Sequence, residues 1–200
     1  MTDQPRPASS VRAGFARADW NARYAHKELL WTAEPGRALD IACGEGRNAV
    51  WLAERGWAVT AVDFSDVALG KGARLAESRG VDVDWVVADA LEYEPEPTAF
   101  GLVAVLYLQL PHEELVAALR RAAGAVAPGG TLIVLGHDTT NLVDGYGGPK
   151  DVSVLFAPDD VTAALEGLVV ERAEKVERTV ALDDGEATAI DALVRATRAA

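Results

Sequence analysis

Cysteine occurs once in 200 residues. A lone thiol excludes an internal disulfide and any cysteine-cluster metal site, so no metal is expected. Basic residues are scarce as well, with 19 Lys and Arg against 31 Asp and Glu and a net charge of −12. Sequence-independent binding to nucleic acid rests on Lys and Arg at phosphates, and anionic membranes ask for the same excess of cations. Neither partner fits this balance. The acids are spread along the chain and read as a solvated surface. No apolar run approaches the roughly 18 residues of a membrane helix, and the N-terminus has no signal-peptide core. The expectation is a soluble, cytoplasmic protein, monomer or dimer, whose partner is a small molecule.

What is present is an ordinary globular balance, half hydrophobic and a quarter charged, over a length that favours one domain with a sizeable core. Residues 1–10 are rich in Pro, Ser and polar groups and read as a disordered lead. Residues 11–30 carry a broken helical pattern in which Trp20 and Tyr24 share one face, a candidate lid on a domain spanning 11–200. From Arg37 the chain alternates apolar runs with helical patterns. Short strands are expected at 37–41, 57–63, 83–87, 100–108 and 131–135, with helices at 46–55, 66–79 and 113–126. Such alternation implies a doubly wound α/β sheet that is parallel over these strands. Residues 137–149 form a long Gly-rich loop, and a short helix is expected from Pro158. Two further strands, 169–180 and 187–195, flank the turn signal Asp183-Asp184-Gly185 and pair as a hairpin.

The stretch Arg37–Asn48 organises the rest: an apolar strand holding Asp40, a turn through Ala42, Cys43, Gly44, Glu45 and Gly46, then a helix. A strand, a Gly turn and a helix make a nucleotide-binding corner, and the two glycines admit close approach of a ligand to the backbone. Three acids, Asp40, Asp63 and Asp89, fall at the C-terminal ends of consecutive strands, where open α/β sheets bind ligands. Asp63 follows Asp40 by 63 − 40 = 23 residues, near the spacing at which a second-strand acid meets a ribose. A carboxylate behind the turn would repel a phosphate and welcome a cation. The trio therefore favours a positively charged nucleoside over a dinucleotide.

Leu39-Asp-Ile-Ala-Cys-Gly-Glu-Gly46, Val62-Asp-Phe-Ser65, Val87-Ala-Asp-Ala90, the strand Phe100–Tyr107 and Ala127-Pro-Gly-Gly-Thr-Leu132 together resemble the class I S-adenosylmethionine-dependent methyltransferases. Trp20-Asn-Ala-Arg-Tyr24 and Gly46-Arg-Asn-Ala49 are similar to the small-molecule group that includes tellurite-resistance and thiopurine methyltransferase-like proteins. The resemblance implies a seven-stranded Rossmann-like sheet of order 3-2-1-4-5-7-6 with the last strand pair antiparallel. It implies S-adenosyl-L-methionine as cofactor, with Asp40, Ala42, Cys43 and Gly44 along the methionine moiety and Gly46 in the same turn. It further places Asp63 at the ribose, Phe64 on the adenine, Asp89 and Ala90 at the adenine edge, the backbone of Leu106 and Tyr107 at the methionine amino group, and Asn48 beside the cleft. In three places the chain departs from the family pattern. Ala42 replaces the first turn glycine, Gly101 stands where an acid often starts the fourth strand, and residues 31–37 leave no room for a helix before the first strand.

The expected activity is methyl transfer to a small acceptor: a thiol, a chalcogen oxyanion, a hydroxyl or an amine. Soft anions need little base catalysis, whereas a hydroxyl or amine does. His137 ends the fifth strand next to Asp138, and Tyr107 ends the fourth; these two are the candidate catalytic groups. Trp20, Tyr24, His137 and Tyr146 are the candidate walls of the acceptor pocket. Cys43 reads as filling within the turn. A catalytically silent S-adenosylmethionine-binding or interaction protein is the alternative, and a nicotinamide oxidoreductase lacks its G-x-G-x-x-G turn here.

Overall fold

The computed structural model describes residues 34–200, and everything below refers to them. The expected lead (1–10) and lid helix (11–30), with Trp20 and Tyr24, lie outside the described residues.

Seven strands form one sheet of order β3-β2-β1-β4-β5-β7-β6, as the resemblance implied. They are β1 (Arg37–Ile41), β2 (Ala58–Asp63), β3 (Asp84–Val87), β4 (Phe100–Leu106), β5 (Val126–His137), β6 (Val169–Leu182) and β7 (Gly185–Thr197). β1 pairs in parallel with both β2 and β4, so the strand order reverses beside it. That reversal opens a crevice at the C-terminal ends of β1 and β4. β4 is buried almost throughout, which explains its unbroken apolar run Leu102-Val-Ala-Val105.

Helices α1 (Arg47–Ala53), α2 (Asp66–Arg79) and α3 (His112–Ala125) make the crossovers. α2 starts where the Ser65 hydroxyl accepts the Ala68 N–H at 3.2 Å. α3 buries Leu115, Ala118, Leu119 and Ala122, a stripe at helical spacing, against the core that Phe100, Leu132 and Val194 share. Its last carbonyls are satisfied by Arg198, whose Nη2 donates to Ala123 O at 2.9 Å and whose Nε donates to Val126 O at 2.7 Å.

Pro128-Gly-Gly130, which reads as a turn in the sequence, is a bulge inside β5. Val126 pairs with Phe100, residues 127–130 loop out, and pairing resumes between Thr131 and Leu102. The Gly-rich stretch after β5 is more ordered than a plain loop, because it contains α4 (Asn141–Asp144). Asn141 pins it: its Oδ1 accepts the Ile190 N–H at 2.7 Å and its Nδ2 donates to Gly147 O at 3.1 Å. A single 3₁₀ turn (Val152–Val154) and α5 (Pro158–Thr162) follow.

β6 and β7 are longer than the sequence pattern suggested. β7 pairs with β5 only over Asp191–Thr197, and with β6 over its whole length to Gly185. The hairpin thus runs past the end of β5 on the crevice side. It brings Arg178 and Asp191 to His137, a meeting of residues far apart in sequence.

Candidate functional site

The turn after β1 is built from left-handed residues: Ala42 at φ +57°, Gly44 at +56° and Gly46 at +69°. This curl aims the start of α1 at the crevice. Only Ala42 carries a Cβ, so only Ala42 bears the steric cost of that conformation, about 1–2 kcal/mol. A Cβ at Gly44 would meet nothing within 4 Å, so open space lies against this backbone. Gly46 answers a different need, since the Trp85 ring fills the place where its Cβ would stand. Its glycine serves the packing that holds the turn. Glu45 points outward to Lys71, and Asn48 lies half-buried in the first turn of α1.

Asp63 is bound into the turn. Its Oδ2 accepts the Gly44 N–H at 2.8 Å and its Oδ1 accepts the Ser65 N–H at 2.9 Å. Each carboxylate oxygen keeps a second lone pair for a ligand hydroxyl. The next residue, Phe64, is 76% exposed, an apolar ring offered to solvent at the end of β2. Val67 in the first turn of α2 and Val87 at the end of β3 are exposed as well. Asp89 is exposed; its Oδ1 accepts the Leu91 N–H at 2.8 Å, and Ala90 beside it is half-buried.

Asp40 is 1% exposed, and neither carboxylate oxygen has a hydrogen-bond partner of normal geometry among the described residues. Burial pushes its carboxyl up to about 7; the Ala49 backbone N–H nearby works against this, and the charge of Asp63 adds to it. A neighbouring cation would relieve both the missing partners and the raised pKa. Cys43 is buried, and burial with the charges of Asp40 and Asp63 drives its thiol further up, which suits filling and not nucleophilic attack.

On the far side of the crevice, Tyr107 follows β4 with φ +59°, a left-handed conformation rare for a bulky residue. Its N–H donates to Leu135 O at 2.6 Å, and its hydroxyl donates to Asp191 Oδ2 at 2.9 Å. Arg178 Nε donates to the same oxygen at 2.7 Å. His137 Nδ1 lies 3.1 Å from Asp191 Oδ1, with the N–H tilted off the ideal direction. The Tyr107 and His137 rings are 5.1 Å apart, tilted by 53°. Burial works to raise the Asp191 carboxyl, but His137, Arg178 and Tyr107 outweigh it and hold the group below the usual carboxylate range.

The carboxylate beside His137 is therefore Asp191, not Asp138 as the sequence suggested. Successive residues on a strand point to opposite faces, so Asp138 turns away from its neighbour's ring. It accepts the Thr140 N–H at 2.8 Å and hydroxyl at 2.6 Å, and Lys175 Nζ lies 3.1 Å away. Tyr146 is half-exposed on the Gly-rich segment, with its N–H donating to Thr188 O at 2.8 Å. Leu106 is half-buried immediately before Tyr107. Asp191 and Arg178 were not singled out from the sequence. The available signal was an acid inside the apolar run Ala189-Ile-Asp-Ala-Leu-Val194.

Residues 38–130 match the family model described as a methyltransferase domain. The strand order 3-2-1-4-5-7-6 agrees with that match. The chain has the fold of the class I S-adenosylmethionine-dependent methyltransferases. It is 30% identical over 145 residues to 2-heptyl-1-hydroxyquinolin-4(1H)-one methyltransferase of Mycobacteroides abscessus, covering 69% of this chain and 64% of that protein. It is 35% identical over 120 residues to demethylmenaquinone methyltransferase of Thermus thermophilus, covering 59% and 54%. The chain thus spans less than two thirds of either relative. Among solved structures, TehB from Haemophilus influenzae superposes with a TM-score of 0.70 at 15% identity, over 94% of this chain and 63% of that one.

S-adenosylmethionine is the cofactor implied by the methyltransferase-domain match, and the crevice fits it. The turn leaves open space at Gly44, Asp40 has two unpartnered oxygens, Asp63 keeps free lone pairs and Phe64 offers an exposed ring. Among the described residues no group of His, Cys, Asp and Glu is arranged to hold a metal ion. No described helix is long and apolar enough to cross a membrane.

Proposed function

We propose that the chain catalyses S-adenosylmethionine-dependent methyl transfer to a small-molecule acceptor. The observation that carries this reading is the crevice itself. A turn with open backbone and an unpartnered buried acid lies on one side, and a histidine backed by a carboxylate lies on the other. The two curated relatives, each named for a small organic acceptor, support the same class of substrate.

In this reading Gly44, Asp63, Phe64, Asp89 and Ala90 hold the nucleoside, while Asp40, Ala42, Cys43 and the Leu106–Tyr107 backbone line its methionine end. Gly46 and Asn48 fix the turn and the helix that follows. When bound, S-adenosylmethionine supplies a methyl group on a positively charged sulfur that leaves as a neutral thioether. The protein's own work is to position the acceptor in line and to keep water away. Asp40 lowers the cost of a positive charge at the turn. His137, Tyr107 and Tyr146 face the acceptor. Thiols, chalcogen oxyanions, hydroxyls and amines are the acceptor classes to compare.

Isothermal titration with S-adenosylmethionine and, separately, with NAD tests the binding half. We expect saturable binding of the first only; no binding of S-adenosylmethionine overturns the reading. Transfer of labelled methyl to a panel of thiols, tellurite, phenols and amines tests the catalytic half. Binding without transfer to any of them would favour the silent-binder alternative.

A further inference from the structure

Three polar side chains, Tyr107 after β4, His137 at the end of β5 and Arg178 on β6, meet around the Asp191 carboxylate on β7, and the way they share it restricts what each can do. We infer that Asp191 is a positioning residue: it commits the Nδ1–H of His137 and the phenolic hydrogen of Tyr107, leaving His137 Nε2 as the proton acceptor for a substrate hydroxyl or amine. This inference rests on the methyltransferase reading and narrows its acceptor to a group that must lose a proton.

The hydrogen-bond inventory leads there. Asp191 is 1% exposed, so each of its oxygens needs a donor. Oδ2 has two, Tyr107 Oη at 2.9 Å and Arg178 Nε at 2.7 Å. For Oδ1 the nearest polar atom recorded is His137 Nδ1 at 3.1 Å. A buried carboxylate oxygen left without a donor is destabilising. The imidazole tautomer that supplies a donor there carries its hydrogen on Nδ1, and this places the ring's lone pair on Nε2.

Tyr107 is excluded from the same role. Its hydroxyl already donates to Asp191, and burial beside that carboxylate pushes its pKa up, so the phenol keeps its proton. Asp138 is excluded by its own partners, Thr140 and Lys175. The charges facing His137 are then those of Asp191 on β7 and Arg178 on β6, which balance each other, with neutral Tyr107 from β4. Lys175 on β6 is matched by Asp138. In the proton step the acceptor's O–H or N–H bond breaks, its electron pair stays on the acceptor, and the hydrogen bonds to Nε2. The imidazolium that forms lies against Asp191, and water takes the proton afterwards.

The loop is shaped around this ring. Gly148, at φ +74°, passes so close that a Cβ would stand 2.9 Å from His137 Nε2 and 2.8 Å from its Cδ2. Any side chain there would push the ring off Asp191. His137 nevertheless keeps 11% of its side-chain exposure.

The first test needs neither cofactor nor substrate. Nitrogen-15 correlation spectra of the ligand-free chain at pH 8 should show His137 with hydrogen on Nδ1 and none on Nε2. A dominant Nε2–H tautomer overturns the inference whatever the chain's activity. Asp191→Asn should shift the ring toward the Nε2–H form, and Asp191→Glu should retain the Nδ1–H form; an unshifted ring in Asp191→Asn overturns the inference. Tyr107→Phe leaves the carboxylate in place and should keep the wild-type tautomer, which guards against misfolding of the Asp191 variants. With S-adenosylmethionine, Asp191→Asn should lower kcat about 100-fold for phenol and a primary amine, and by no more than about threefold for thiophenolate, which is already ionised. Equal losses for all acceptors would reduce Asp191 to a structural role. If no acceptor is methylated, the reading of function fails while the tautomer still decides this inference.

Discussion

The two sides of the crevice are built by different means. On the cofactor side, Asp40, Ala42, Gly44 and Gly46 lie within seven consecutive residues, and Asp63 reaches Gly44 across only 19. Its bonds are mostly between backbone and carboxylate, formed by neighbours in the chain. On the acceptor side, Tyr107 and Asp191 are 84 residues apart, and they meet only because β7 runs antiparallel into the end of β5. There the bonds join side chain to side chain. The first side is a local turn that one strand–helix corner can fold. The second exists only after the whole sheet has closed, so its geometry depends on the hairpin's register.

The comparison breaks most sharply at His137. If the two sides act separately, His137→Ala should lower kcat by about 10²–10⁴-fold for acceptors that must be deprotonated, the usual worth of a positioned base. The dissociation constant for S-adenosylmethionine should stay within about twofold, because Tyr107 meets the imidazole through its ring and would border the cofactor through its backbone. Steady-state kinetics and calorimetry on one preparation check both numbers. A parallel loss of cofactor affinity would show that Tyr107, whose backbone borders one side and whose ring borders the other, couples them.

Asp40 tests the cofactor side through pH. Its folded pKa of about 7 lies above the ordinary 3.8 of the unfolded chain, chiefly through burial. Between roughly pH 4 and 7 the folded protein therefore holds a proton that the unfolded chain has released. Stability attributable to this group is present at low pH, falls as pH rises through that window, and is flat above it. Asp40→Asn cannot ionise. Its stability relative to the parent chain should improve by about 2–3 kcal/mol between pH 5 and 8, at 1.36 kcal/mol per pKa unit. Urea denaturation at the two pH values measures it. S-adenosylmethionine should bind the parent chain more tightly as pH rises through 7, and this dependence should vanish in the variant.

This contrast also explains what was legible in the sequence. The alternation of strands with crossover helices and the turn at Ala42–Gly46 follow from periodicity and glycine placement, because those signals are local, whereas the strand order came from the family resemblance. The network around Asp191 gave no such signal. Asp191 stood out only as an acid within an apolar run, and its partner Arg178 sat among the alternating charges of β6. The Asp138 assignment failed because adjacency in sequence opposes adjacency in space along a strand. The bulge at 127–130 reads as an ordinary turn until Val126 is seen to pair with Phe100.

Asp63 has a smaller expected effect than either, since its loss is confined to hydrogen bonds. Asp63→Ala removes the acceptor for Gly44 N–H and Ser65 N–H along with any ribose contact. Cofactor affinity should weaken by about 1–3 kcal/mol, roughly 5- to 150-fold in dissociation constant. Tautomer and pKa of the acceptor side should not move. Unchanged affinity would mean that the ribose lies elsewhere.

The smallest effect is expected at Ala42, where the chain keeps a methyl group in a conformation that favours glycine. With φ at +57°, the alanine carries a steric cost of about 1–2 kcal/mol. Glycine would remove it but would add freedom to the unfolded chain, about 0.4–1 kcal/mol in the opposite direction. The net gain from Ala42→Gly should be about 0.5–1 kcal/mol, a rise in Tm of about 1–4 °C for a chain of this size. Scanning calorimetry checks it. A lower Tm would mean that the Ala42 methyl packs against the turn strongly enough to offset its strain. Retained stability with weaker cofactor binding would mean that the alanine stiffens the turn into its binding shape, and that the strain on the cofactor side serves the same preorganisation that Asp191 serves on the other.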